Sequence, residues 1–413
     1  MESSEARRSQ RKVYPLGFPD HVIWGSELSP FALKLRALCD FAGIAYAWLP
    51  SDGSRLRNYR ALWMINRAKR GRTAIRYPQL SDLDEYPLVP FLIEKGRRIY
   101  YDSSALARWI DDCRLPKPGR LFPDEPGLAF VAQLIDEAFD EFGLYMVHHK
   151  RWVLSAASND AGKRLAREFA RVRLPGTAAV FAKSFARRQV RRLPYLFSVA
   201  PSGFSIPGLP PDLTPPSREG FPPTHGLLDE AWEHHLAGVE AVLTLQPFLL
   251  GERFTVADAS VYGQLGMNLA DPTAAELMRE RAPVTHEWLC RIRDGEDLGS
   301  AGGLQLSHAL RPLLGSIAAT FVPLMRQNAQ AYESAREGGE SLFNESAFDQ
   351  GRACYDGELL GRPFRSVAKS FQVRVWRELC DAWDALPDDA RVRVSSLLPD
   401  EDPGDRSTFS CDT

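Results

Sequence analysis

The chain has 413 residues, 44% of them hydrophobic and 25% charged, which is ordinary for a soluble globular protein and long enough for two or more domains. With 51 basic against 53 acidic residues no global field points to nucleic acid, and no apolar run approaches the roughly 18–20 residues of a membrane span. Cys39, Cys113, Cys290, Cys354, Cys380 and Cys411 are scattered, with neither a Cys-x-x-Cys pair nor metal-ligand spacing, so a reduced, cytoplasmic setting and no metal are expected.

Residues 1–18 read as a disordered polar tail; Glu2 and Glu5 among its arginines exclude a signal peptide. His21–Gly25 is a short strand. Ser29 then stands as a natural N-cap with Pro30 at the first helical position, and Phe31, Leu35, Leu38 and Ala42 share one helix face before Gly43 stops it. Ala45–Leu49 is a second strand, giving a βαβ start. A long piece from Pro50 to Tyr86 holds a helix around Tyr59–Arg67 and a basic turn over 67–72.

From Tyr86 to Ile110 the pattern is strand, turn, strand, helix. Val89, Phe91 and Ile93 alternate, Lys95-Gly96 supplies the turn, Ile99–Tyr101 return, and Asp102-Ser103-Ser104 offer caps to a helix carrying Leu106, Trp109 and Ile110. Pro90 opens this strand and cannot donate to a ladder. A cis Val89-Pro90 bond accounts for it by turning the Val89 backbone outward to pair with an extended peptide-like ligand, whose carboxylate the following helix N-terminus would receive.

Proline- and glycine-rich residues 116–126 form a linker. A long helix follows from about Leu128 to Ser155. Phe142, Tyr145, His149 and Trp152 fall near one another on it, where core packing competes with ligand contact. Residues 160–192 are helical in pattern with ten Lys/Arg against two acids, read as a solvated face, and 193–223 are a Pro/Gly-rich crossing. Helical periodicity resumes at Leu227. Thr255 and Asp258 then form a capping box behind Phe248-Leu-Leu-Gly-Glu-Arg-Phe254, and Pro283–Ile292 is a further helix. Beyond it come helices near 310–332 and 371–386 and a hairpin at 354–364.

The order strand-helix-strand, then Val-Pro, two strands and an acid-Ser pair, resembles the glutathione-binding half of glutathione transferases. The Leu-Gly-x-x-x-Thr-x-Ala-Asp run ending at Asp258 is similar to the signature of their helical domain. The likeness covers about 21–160 and 225–293. It implies an α+β fold: a thioredoxin-like domain over 19–117, an all-helical domain over 126–293 interrupted by an insertion at about 160–225, and an extension over 294–413 for which it offers no role.

It also implies a transferase that activates the glutathione thiolate for attack on a hydrophobic electrophile, a detoxification chemistry. The alternatives are a non-catalytic binding or scaffold protein, or a glutathione-dependent ether-cleaving or dehalogenating enzyme. Ser-Pro-Phe at the first helix is similar to the serine-type tau and theta classes, which implies Ser29 as the catalytic hydroxyl, with Ser26 in reserve. The absence of cysteine at both places argues against the mixed-disulfide classes. By the same likeness Val89, Pro90, Asp102 and Ser103 bind glutathione, the co-substrate. A cation from Arg67, Lys69, Arg70 or Arg72 meets its glycyl carboxylate. Tyr145, His149 and Trp152 are candidates for the second-substrate pocket, and the protein is expected to form a homodimer, with neither membrane nor nucleic acid as partner.

Overall fold

The computed structural model describes residues 20–70, 75–77, 89–114, 119–296, 298–299, 301–399 and 409, with 75–77 and 114 as backbone only. The expected N-terminal tail, Arg72, Cys411 and residues 116–118 of the first linker lie outside them.

Strand β1 (His21–Trp24) leads into helix α1 (Pro30–Phe41) and strand β2 (Ala47–Leu49). Helix α2 (Arg55–Lys69) and a short β3 (Ile75–Tyr77) precede the hairpin β4 (Phe91–Glu94) and β5 (Arg98–Tyr101), and α3 (Ser103–Arg114) closes the unit. The strands form one sheet in the order β2-β1-β4-β5-β3, with β1 parallel to β2 and antiparallel to β4. Only β3, which pairs parallel with β5 at the edge, falls where no strand is expected.

Alternation along the strands sorts the side chains onto two faces. Ile23, Trp48, Leu92 and Tyr100 join the main core beneath α1 and α3, whereas Val22, Trp24, Phe91, Ile93 and Tyr101 meet Ala61, Ile65 and Ala68 of α2 on the other side. This is the thioredoxin-like module of an α+β fold, and all that follows is mostly helical.

The long helix begins as α4 (Pro126–Ala138), widens into a π turn (Phe139–Gly143), continues as α5 (Leu144–His149) and ends in a second π turn (Lys150–Leu154). The basic stretch is two helices, α6 (Ala161–Glu168) and α7 (Ala178–Arg191), because Leu174-Pro-Gly176 breaks the pattern, with Gly176 at φ +78°. Then come α8 (His225–Leu243), α9 (Val256–Met267), α10 (Pro272–Arg281) and α11 (Pro283–Asp294). The final stretch adds α12 (Arg311–Ala319), α13 (Phe321–Glu337), the short α14 (Glu345–Asp349), the hairpin β6 (Cys354–Leu359) and β7 (Arg362–Val367), α15 (Ser370–Asp384) and α16 (Asp388–Ser395).

Helix α9 lies across α1 and joins the sheet module to the helices. Gly263 permits the approach: a Cβ there would come within 2.7 Å of the Pro30 carbonyl oxygen. The capping box opens α9 as expected, with Asp258 Oδ2 accepting from the Thr255 amide at 2.8 Å. Asp258 Oδ1 also accepts from the Leu249 amide at 2.8 Å, so the fully buried carboxylate pins the preceding loop as well. Gly238 lets α8 reach the backbone of α12 at Leu313, and α15 and α16 pack on α4. The C-terminal stretch is thereby continuous with the main core through Trp376, Leu379 and Trp383. Cys39, Cys113, Cys290 and Cys354 are free thiols, whereas Cys380 is disulfide-bonded, against the expectation of an all-reduced set. Among the described residues, no helix is long and apolar enough to cross a membrane.

Candidate active site

A cavity of about 890 Å³ opens between the sheet module and the helices. Ser29 reaches it from the start of α1. Its backbone is extended (φ −100°, ψ 119°), so its hydroxyl accepts from the Ala32 amide at 3.4 Å while the helix N-terminus faces the cavity. Ser26 also lines the wall, but it is buried and its oxygen accepts from Leu28 N at 3.1 Å.

Across the opening, the Val89-Pro90 peptide is cis and Val89 is exposed just ahead of β4. A second cis bond, Leu49-Pro50, was not anticipated. Asp102 sits at φ +70° between β5 and α3 and caps the helix, its Oδ1 accepting from Ala105 N at 2.9 Å. Burial pushes its carboxyl above the usual range, with the Ala105 amide and Arg374 opposing. Ser103 is buried, lines the cavity and makes no side-chain hydrogen bond among the described residues.

Beneath these caps lies a buried charge cluster. Lys34 Nζ is 2.5 Å from Asp136 Oδ1 and 2.7 Å from Asp140 Oδ2, and it donates to Ser104 Oγ at 2.7 Å. Burial pulls the Lys34 ammonium down, yet the two carboxylates outweigh it and hold its pKa above the ordinary value. Burial pushes Asp136 up to about 6, against Lys34. The cluster ties α1, α3 and α4 together under the site.

The opposite wall is built from segments to which sequence reasoning assigned no part in the site. The stretch between α5 and α8 contributes Leu165, Phe169, Phe185, Arg188, Gln189 and Arg192, so the basic face of α7 is not wholly solvated. The C-terminal stretch contributes Lys369, Phe371, Gln372, Arg374, Glu378 and Asp381. The one signal for the latter is spacing: Phe371, Arg374, Glu378 and Asp381 fall three or four residues apart on α15.

Among the pocket candidates, Tyr145 and Trp152 line the cavity and are almost wholly buried, and Trp152 Nε1 has no hydrogen-bond partner. His149 does not line it. Its Nδ1 is 2.9 Å from Ser198 Oγ, its Nε2 is 3.3 Å from Asp229, and its ring packs edge-on to His225. His148 takes the place on the wall, and burial lowers its pKa to about 3, so the ring is neutral at neutral pH. His148 stands four residues from both Leu144 and Trp152, the ordinary spacing of neighbours on one helix face, so it shares their cavity-lining stripe.

The expected cation on α2 is also displaced. Arg67 stacks on Trp63 and Lys69 on Phe91, and neither they nor Arg70 line the cavity, because α2 covers the other face of the sheet. The cations that do are Arg108, Arg151, Arg188, Arg192, Lys369 and Arg374. Arg151 is consumed by Asp271, which it meets at 2.9 Å, and by the Leu28 and Met267 carbonyls. Among the described residues no group of three His, Cys, Asp or Glu is spaced to hold a metal ion.

Residues 28–113 match the family described as glutathione S-transferase, N-terminal domain. No curated protein matches. Solved structures similar to this chain include a glutathione S-transferase from Rhodospirillum rubrum F11, at 16% identity over 71% of this chain and 91% of that one, with a TM-score of 0.36. The beta-etherase LigF from Sphingobium sp. strain SYK-6 follows at 16%, covering 67% and 95%, with 0.38. A glutathione S-transferase of Ceriporiopsis subvermispora, in complex with glutathione, stands at 14%, covering 68% and 100%, with 0.37.

Proposed function

From the premise that the chain belongs to the glutathione S-transferase superfamily, carried by its domain at 28–113, we propose that it binds glutathione in the 890 Å³ cavity and directs the thiolate at a hydrophobic electrophile. One observation carries the reading: Ser29, Val89, Asp102 and Ser103 come from three separate stretches of chain and line that one cavity.

Glutathione supplies a thiol whose free pKa, about 8.5, leaves it mostly protonated at neutral pH. The Ser29 O–H is free to donate to the sulfur, since its capping bond uses only an oxygen lone pair. Together with the positive end of α1 it favours the thiolate. Val89 offers its main chain to the cysteinyl portion, beside Pro90. The Ser103 hydroxyl and the α3 amides receive the γ-glutamyl carboxylate, and Asp102 its ammonium. The apolar wall of Phe169, Phe185, Trp152 and Leu165 suits the electrophile and excludes water.

The size of the cavity and the unpartnered Ser103 hydroxyl support this reading over a scaffold role, which needs neither. Calorimetry with glutathione tests it. Binding at millimolar affinity or tighter, weakened by Ser103→Ala, is expected. No heat of binding would overturn the proposal.

A further inference from the structure

Tyr145 projects from α5 into the cavity wall and is 3% exposed. Its phenolic oxygen receives two donors, both from the C-terminal stretch: Lys369 Nζ, and Gln372 Nε2 at 2.8 Å. The clamp is fixed from behind. Lys369 Nζ also donates to the Tyr195 carbonyl at 3.3 Å, while buried Asn328 bonds the Lys369 backbone at both its amide (2.8 Å) and its carbonyl (3.0 Å). The Tyr145 ring stacks on Phe197 at 5.5 Å and meets Phe142 edge-on.

A phenol has two lone pairs and one O–H. Lys369 and Gln372 occupy both lone pairs, so the hydrogen remains to be given away, and no described residue accepts it. An ammonium against the oxygen makes that O–H a stronger donor, because it offsets negative charge drawn onto the phenol. Burial, with Glu141 and Tyr195 adding to it, holds the phenol well above its ordinary pKa, so the proton is present at neutral pH.

We propose that Tyr145 is a catalytic hydrogen-bond donor armed by Lys369 and Gln372 of the C-terminal extension, and that the preferred electrophiles carry an oxygen leaving group. In the step inferred, the thiolate sulfur forms a C–S bond as the C–O bond breaks. The electron pair leaves on oxygen, Tyr145 donates its hydrogen bond to that oxygen, and the product departs as an alkoxide or phenoxide that water protonates. Nothing is oxidised or reduced.

The inference rests on the glutathione-transfer reading, and a matched pair of probes separates the two. 4-Nitrobenzyl 4-nitrophenyl ether and 4-nitrobenzyl chloride present the same attacked carbon and differ in the leaving group. The wild type turns over both. Tyr145→Phe lowers kcat/KM for the ether at least tenfold relative to the chloride, and Lys369→Met and Gln372→Leu, as positioning residues, shift the ratio the same way by less. A ratio is independent of the fraction folded. An unchanged ratio in Tyr145→Phe, or turnover of the chloride alone by the wild type, overturns the inference. Turnover of neither probe, with no heat of glutathione binding, overturns the underlying reading and the inference with it.

Discussion

Arg374 of α15 holds its Nη2 3.8 Å from Asp102 Oδ2, at the cap of α3, while its Nη1 bonds Glu378 at 3.0 Å. A residue far along the chain thus shares the edge of the cavity with the capping carboxylate, beside the Ser103 hydroxyl. A guanidinium there neutralises Asp102 and offers a second donor to a ligand carboxylate. Arg374→Gln is expected to weaken glutathione binding about tenfold, roughly 1.4 kcal/mol, with a smaller effect on turnover at saturation. Calorimetry alongside steady-state kinetics checks the split.

Lys34 is fully buried between Asp136 and Asp140. Removing one partner of such a cluster leaves the other charges unpaired, at a cost of about 3–5 kcal/mol. Lys34→Met should therefore lower stability by that order in denaturant melts, whereas the double change with Asp140→Asn should recover part of the loss.

Asp258 is expected to be structural. Its carboxylate serves both the Thr255 amide and hydroxyl and the Leu249 amide. Asp258→Ala strands these buried donors, and about 2–4 kcal/mol of stability should be lost. Glutathione affinity measured on the folded fraction should be nearly unchanged.

Glu168 on α6 gives a pH prediction. Burial pushes its carboxyl up to about 7, with the Ser26 hydroxyl and Arg164 opposing and Glu27 reinforcing, and its Oε2 has no hydrogen-bond partner. A folded pKa above the ordinary 4.5 means the native state holds the proton more tightly than the unfolded chain. The associated stability is fully present below the ordinary value and is lost as pH rises through about 7. Glu168→Gln should remove that decline, making the variant more stable than the wild type by about 1–3 kcal/mol in alkaline buffer. Melts across pH compare the two slopes.

The sheet module was legible because its signals are local. Ser29-Pro30 caps and opens α1, alternation from Val89 to Ile93 marks β4, and Lys95-Gly96 turns the hairpin, with both residues at positive φ. The far wall of the cavity was not legible. Lys369, Gln372 and Arg188 reach it through tertiary packing, and in their local sequence they read as ordinary surface polar residues. His148 and His149 are adjacent, and it is His148 that falls on the i, i+4 stripe with Leu144 and Trp152, whereas His149 turns to Ser198 and Asp229. The α2 cations failed for a similar reason: which face of a sheet a helix covers depends on the whole topology, and α2 carries Arg67 and Lys69 to the side away from the site.

The central claim is that Ser29 and the N-terminus of α1 hold a glutathione thiolate. Its most direct test is an ultraviolet titration of the thiolate band of bound glutathione in wild type, Ser29→Ala and Ser26→Ala. In the wild type the bound thiol should titrate below the free value of about 8.5, and in Ser29→Ala it should rise by about one unit or more, roughly 1.4 kcal/mol for each. Ser26→Ala should leave it in place. A bound thiol that titrates like the free one in the wild type, or that is untouched by Ser29→Ala and raised by Ser26→Ala, would contradict the account.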